Sequence, residues 1–296
     1  MMSLRNLGIF VAVAESGGVS RAARQLNTVQ SNVTARLKDL EREMDAELFH
    51  RTSTGMVPTA AGEVLLEHAR RMQHMAETAQ RAVRDTAQGG GLLRIGTLET
   101  TAAVRLPAIL MRFYEAFPRA EVRLTAGTTE ALLDGVLAYR HDGAFVAGTV
   151  EHADLVGEAV FDERLVLVRP RAAPVGPVPD QPVVLMFRRG CSYRAYTEQW
   201  LREEGVHGYR TMEFGTLDGI LGCIAAGLGI SLLPKAVVES SSYRAKLKTT
   251  ALADRFAAVP TYFVRRRDAA GGAALEAFLG CVRRKPPVRN AKRMTR

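Results

Sequence analysis

The sequence predicts an α + α/β chain: an all-helical N-terminal segment closed by one hairpin, a long helix, and a C-terminal α/β half. Three observations carry this. Apolar residues recur at spacings of three and four from residue 4 to residue 86. Gln88-Gly89-Gly90-Gly91 then interrupts the pattern. Beyond it, short apolar strands alternate with helical stretches.

Leu4, Leu7, Phe10, Val11 and Ala14 predict a first helix over residues 4–15, ended by Gly17-Gly18. A short apolar run followed by Glu15, with no small-residue cleavage site, reads as a buried amphipathic helix and not as a signal peptide. Ser20 can cap a second helix over 20–26, and Asn27-Thr28 makes a turn. Val33, Leu37, Leu40 and Met44 form the buried stripe of a third helix over 30–43. Residues 49–59 read as a hairpin around Thr54-Gly55. A helix over 60–86, about 40 Å long at 1.5 Å per residue, follows Pro58. Ala61, Leu65, Met72, Met75, Ala79, Ala82 and Val83 form its apolar seam.

After the glycines come strands LLRIGTL, EVRLTAG, GAFVAG, ERLVLVRP, PVVLMF, YRTMEFG, ISLLP and TYFVRR. The helices between and after them are expected at 100–117, 129–139, 192–204, 217–226 and 273–283. This alternation predicts a largely parallel sheet with helices on both faces. The glycines of GLGISLLP lack the Lys-Ser/Thr pair of a phosphate loop and are read as permitting a tight helix-to-strand turn. Residues 171–182 are a proline-rich loop, and the tail from residue 285 is expected to be disordered.

The formal net charge of +9 invites a nucleic-acid reading, but its placement weakens that argument. Residues 283–296 hold seven basic and no acidic residues, whereas residues 1–58 hold seven basic and six acidic ones. Pattern must carry the argument instead. With Val33, Leu37 and Leu40 turned inward, the 30–43 helix presents short polar residues at its N-terminal half, as a groove-reading helix requires. Gln can bond adenine bidentately and Arg guanine, while Ser, Thr and Lys can hold phosphates. The acidic KDLEREMDAE half is unsuited to phosphate, which turns residues 30–36 toward the groove. The candidate DNA contacts are Ser20, Gln30, Ser31, Asn32, Thr34, Arg36, Lys38 and Arg51. A solvated amphipathic helix in a bundle shows the same periodicity.

Phe10, Ala22-Ala23, Leu26, Gln30-Ser31, Val33, Thr34, Leu37, Leu40-Glu41, Leu48-Phe49 and Arg51, followed by PTAAGEVLLEHAR, resemble the LysR-type transcriptional regulators. The resemblance extends over residues 2–284. It implies a winged helix-turn-helix (1–59), a linker helix and Gly-rich hinge (60–91) that dimerises, and a two-subdomain periplasmic-binding-protein-like effector domain (92–284). Its halves would be 92–162 plus 265–284, and 163–264; residues 285–296 remain as a basic tail. It further implies a homodimer, often a dimer of dimers, on an interrupted palindrome of double-stranded DNA, with the 30–43 helix in the major groove and the wing near the minor groove. VQSNVT departs from the family's common pattern, and Asn32 is expected to alter base preference. FRRGCSYRAYTEQWL and DGAFVAG are similar to a subgroup that includes regulators of sulfur oxidation and cell growth.

The effector is expected where strands run into helices, since helix N-termini favour anions. Thr100, Thr101, Thr128, Cys191, Ser192, Tyr193, Arg194 and Thr216 stand at such junctions. The resemblance turns Thr100 and Thr128 toward the cleft. Each Thr or Ser is equally an ordinary helix cap. Cys191, near Arg188, Arg189 and Arg194, is read either as a small buried cleft residue or as a thiol of lowered pKa that senses oxidants. Cys223 and Cys281 read as core.

Three widely spaced cysteines make neither a disulfide framework nor a zinc site. There is no nucleophile elbow, Walker loop or dinucleotide fingerprint. No enzyme activity, metal or cofactor is expected. Without a run of about 18 apolar residues no membrane span is expected, and the chain is expected to be cytoplasmic, with DNA, a small anionic effector and further copies of itself as partners.

Overall fold

The computed structural model describes residues 3–53, 55–88, 91–173, 178, 181–269 and 272–283. The predicted tail, two hinge glycines and part of the proline-rich loop lie outside them. The chain divides into two compact units, Met1–Ala87 and Gln88–Arg296.

In the first unit α1 (Leu4–Ser16), α2 (Val19–Gln25) and α3 (Gln30–Met44) precede a hairpin of β1 (Phe49–Thr52) and β2 (Gly55–Pro58), then α4 (Ala60–Gln88). Gly17 closes α1 in the left-handed region at φ +67°, where a residue without Cβ pays no steric penalty. The predicted Ser20 cap is displaced: α2 starts at Val19 with Gly18 as its cap, so Ser20 lies exposed in the first turn. Asn27 makes the predicted turn at φ +50°. Leu7, Phe10, Val13, Ala22, Val33, Leu37, Leu40, Leu48 and Phe49 form one core. Each fully buried Leu or Phe contributes about 1.5–3 kcal/mol.

The start of α4 explains the Thr-x-x-Gly spelling of its sequence. The Thr59 hydroxyl donates to the Glu47 carbonyl at 2.7 Å and accepts the Gly62 amide at 3.0 Å. The Leu48 carbonyl packs so close to Gly62 that any Cβ there would overlap it. The predicted seam of α4 divides: Leu65 and Met72 pack against the core of the first unit. Leu66 and Ala69 are buried in the core, while Ala61, Met75, Ala79 and Val83 face solvent. At 3.6 residues per turn, α4 carries apolar residues on more than one side, and periodicity alone does not say which side the fold uses.

The second unit contains β3 (Leu92–Thr97), α5 (Glu99–Val104), α6 (Leu106–Ala116), β4 (Glu121–Ala126), α7 (Thr129–Leu137), β5 (Gly143–Ala147), β6 (Leu155–Pro170), β7 (Val183–Phe187), α8 (Ser192–Glu203), β8 (Arg210–Phe214), α9 (Leu217–Ala225), β9 (Ser231–Pro234), α10 (Lys235–Ser240), β10 (Leu247–Ala251), α11 (Asp254–Ala257), β11 (Ala258–Arg266) and α12 (Ala273–Arg283). The single helix expected over 100–117 is two, broken at Arg105. Pro107 cannot donate an amide hydrogen and its ring crowds the preceding turn.

The expectation of a largely parallel sheet is also corrected. Seven strands follow the order β10-β6-β11-β5-β3-β4, with β9 also on β6. Among the described residues, parallel pairing joins β3 with β4 and β5 and β7 with β8, with one further parallel bridge from Val184 to Ile230. β11 runs antiparallel to both β5 and β6, with a register shift at Thr261/Tyr262. β6 is twice the predicted strand: its first part is laddered to β11, its last to β9 and β10. Gly227, at φ +89°, makes the expected turn from α9 toward β9. No described helix is long and apolar enough to cross a membrane.

Candidate functional site

On α3 the buried stripe of Val33, Leu37 and Leu40 leaves Gln30, Ser31, Ala35 and Lys38 exposed, with Asn32, Thr34 and Arg36 half-buried. The N-terminal half of the helix thus offers amides, hydroxyls and a guanidinium along one face. Asn32 is partly committed already, since its Nδ2 donates to Thr28 Oγ1 at 3.0 Å. Glu41 accepts the Leu48 amide at 3.0 Å. The acidity of the C-terminal half therefore serves the turn into the wing. Arg51 is exposed on β1.

Sequence reasoning passed over Arg21. Its Nε donates to the Ser16 carbonyl and its Nη2 to the Gly17 carbonyl at 2.8 Å. A cation at the C-terminus of α1 answers the helix dipole.

The second unit holds a cavity of about 360 Å³ lined by the starts of four helices. Leu98, Glu99 and Thr100 come from α5, and Gly127, Thr128 and Ala131 from α7. Cys191 and Tyr193 come from α8, and Phe214 and Gly215 precede α9. Arg188, Arg189, Phe187 and Ala126 complete the wall. Free amides at helix starts give such a cavity a positive lining. Thr128 caps α7 by accepting the Ala131 amide at 3.3 Å. Thr100, 4% exposed, donates to the hydroxyl of Tyr193, 2% exposed, at 3.5 Å. Burial pushes the Tyr193 phenol well above its ordinary value, so it stays a neutral donor.

The predicted residues separate. Thr100, Thr128, Cys191 and Tyr193 line the cavity together. Thr101 is buried inside α5, and Thr216 is an exposed cap accepting the Gly219 amide. Ser192 donates to the Ala147 carbonyl at 2.7 Å, which leaves its oxygen to accept from Thr129 Oγ1 at 2.9 Å. Arg194 pairs with Glu198 at 2.8 Å and Glu213 at 2.7 Å, and borders a separate open groove with Arg189, Cys191 and Ser192. The cationic lining of the cavity is instead Arg188 and Arg189, and Glu99 is its one acidic side chain.

The idea of an activated Cys191 thiol is corrected. Cys191 is 7% exposed, and burial pushes its thiol up, outweighing the amides and Arg194 that favour the thiolate. Desolvation wins because Arg194 is already neutralised by two carboxylates. Cys223 and Cys281 are half-buried and pack against the cores.

A helix-turn-helix unit with an exposed polar helix, joined to an α/β unit with a positive cavity, defines a DNA reader fused to a ligand receptor. Comparison with known proteins supplies the family. Residues 4–63 match the bacterial regulatory helix-turn-helix proteins of the lysR family, and residues 86–287 match the LysR substrate binding domain. The chain belongs to the LysR family of transcriptional regulators. It is 40% identical over 281 residues to the HTH-type transcriptional regulator GltR of Bacillus subtilis (strain 168), covering 94% of this chain and 95% of that protein. It is 38% identical over 286 residues to the regulator SoxR of Arthrobacter sp. (strain TE1826), covering 96% and 98%. Full-length CbnR complexed with its target DNA is 25% identical, with a TM-score of 0.63, covering 95% of this chain and 99% of that one. The role of the chain is regulation of transcription, not catalysis.

Proposed function

We propose that this regulator reads an interrupted palindrome as a homodimer or dimer of dimers in the cytoplasm, and that a small anionic effector in the four-helix cavity changes how it does so. Gln30, Ser31, Asn32, Thr34 and Arg36 read the major groove; Ser20, Lys38 and Arg51 hold the backbone. The reader is residues 1–59, the linker 60–91, and the receptor halves 92–162 plus 265–284, and 163–264.

The observation that carries the reading is the cavity itself: four helix starts and two arginines around one cleft suit an anion. CbnR, matched over nearly its whole length, is bound to target DNA in its crystal. Dimerisation is supported by α4, where Val64, Met75 and Val83 are 62%, 70% and 71% exposed. Footprinting of the full-length protein on the promoter region beside its own gene tests the proposal. Protection of two half-sites at physiological salt, altered by an effector, is expected. Absence of sequence-specific protection would refute it.

A further inference from the structure

Arg188 and Arg189 follow β7 directly, and the parallel register sets Phe187 beside Phe214. The next residues, Arg188 and Gly215, are therefore neighbours at the strands' carboxyl ends. Arg188 lies flat over Gly215: a Cβ at position 215 would come within 2.8 Å of Arg188 Nη2. Among the described residues, neither the Arg188 nor the Arg189 guanidinium has a hydrogen-bond or ion-pair partner, whereas that of Arg194 has two carboxylates. Arg189 also borders the outer groove, whereas Arg188, exposed at its rim, lines the cavity and not that groove. Two cations and Glu99 leave the wall one net positive charge. Beside that charge stand two phenyl rings, and Leu98, Ala126 and Ala131 contribute further apolar surface.

We propose that Arg188 is the anchor for the effector's acid head, and that the effector is a small organic monoanion with an apolar body, an aryl or branched-alkyl carboxylate. This rests on the cavity being the effector site. A guanidinium offers a carboxylate two parallel N–H donors, and Gly215 provides the flat pad that keeps this fork aimed inward. The rings of Phe187 and Phe214 take the body of the ligand, which a polyanion or a sugar would leave poorly matched. The volume of about 360 Å³ sits at the small end of ligand pockets.

Calorimetric titration of the full-length protein tests this with benzoate, phenylacetate and 4-methylpentanoate, each beside its neutral amide. At least one acid is expected to bind, with its amide at least tenfold weaker. Arg188→Gln should weaken the acid ten- to a hundredfold, the scale of a lost charged hydrogen bond. Arg189→Gln should change it less than threefold. Gly215→Ala, which displaces the guanidinium while leaving the charge, should weaken it as well. Unchanged melting of the ligand-free variants guards against misfolding. Ala131→Trp, which fills the cavity, separates the two readings. Loss of binding there with Arg188→Gln unaffected sinks only the Arg188 assignment. Full binding by Ala131→Trp sinks the cavity as the site. Equal binding of acid and amide, or no binding of any acid at millimolar concentration, overturns the proposal.

Discussion

The Gly17 carbonyl accepts the Met56 amide at 3.0 Å, and this bond fastens the wing to the end of the first helix. Arg21 holds the same carbonyl from the other side. Gly55 makes the approach possible. Its φ is +144°, and any Cβ there would overlap the Gly17 oxygen. Gly55→Val should therefore destabilise the first unit by about 1–3 kcal/mol. Urea titration followed by circular dichroism measures this; a wild-type midpoint would show that the wing can detach without cost.

The two faces of α3 should separate by experiment. Leu40 is fully buried, so Leu40→Ala should cost about 2–5 kcal/mol of stability. Gln30 is exposed, and Gln30→Ala should leave stability within about 0.5 kcal/mol while costing about 1–3 kcal/mol of discrimination at one base pair. Lys38→Ala should weaken all sequences alike and reduce the salt slope by about one. Fluorescence anisotropy against matched and mismatched duplexes reads both. Unaltered discrimination in Gln30→Ala would remove that residue from the interface.

His141 packs against Gly96 and Gly135. Burial first, then the Arg140 charge, holds its imidazole below the ordinary value. As pH falls below about 6.5 the unfolded chain takes up the proton first, so stability declines until the folded form is protonated too. Above that pH the group contributes no slope. The denaturation midpoint of wild type should fall between pH 7.5 and 5.5, and that of His141→Gln should fall less. Parallel slopes in the two proteins would contradict this.

The raised thiol of Cys191 predicts sluggish chemistry. In a Cys223→Ser, Cys281→Ser double variant, native Cys191 should react with a disulfide reagent at pH 7 at least tenfold slower than the same chain in urea. Rapid native labelling would restore the oxidant-sensing reading.

The helices were legible where one stripe of residues does one job. Val33, Leu37 and Leu40 repeat at the helical period and are all buried. The seam of α4 was ambiguous because Leu66 and Ala69 on one side and Val64 and Met75 on the other are all apolar. The first part of β6 escaped notice because Gly157, Glu158 and Asp162 dilute its apolar pattern. Its partner β11 lies about a hundred residues downstream. No local signal encodes that antiparallel pairing.

In the cavity, the threonine caps were visible but their convergence was not. The choice among the three arginines was partly legible. Arg194 has Glu198 one helical turn on, a spacing that pairs opposite charges. The second partner, Glu213 on β8, is set only by the tertiary fold.

β6 runs through sixteen residues as one strand, laddered to different neighbours along its length. Relative displacement of the regions it joins has to flex the ladders themselves, and the irregular register at Thr261/Tyr262 is where bending costs least. A continuous strand of this kind is a stiff joint rather than a free hinge: the regions on either side of it share one set of backbone bonds.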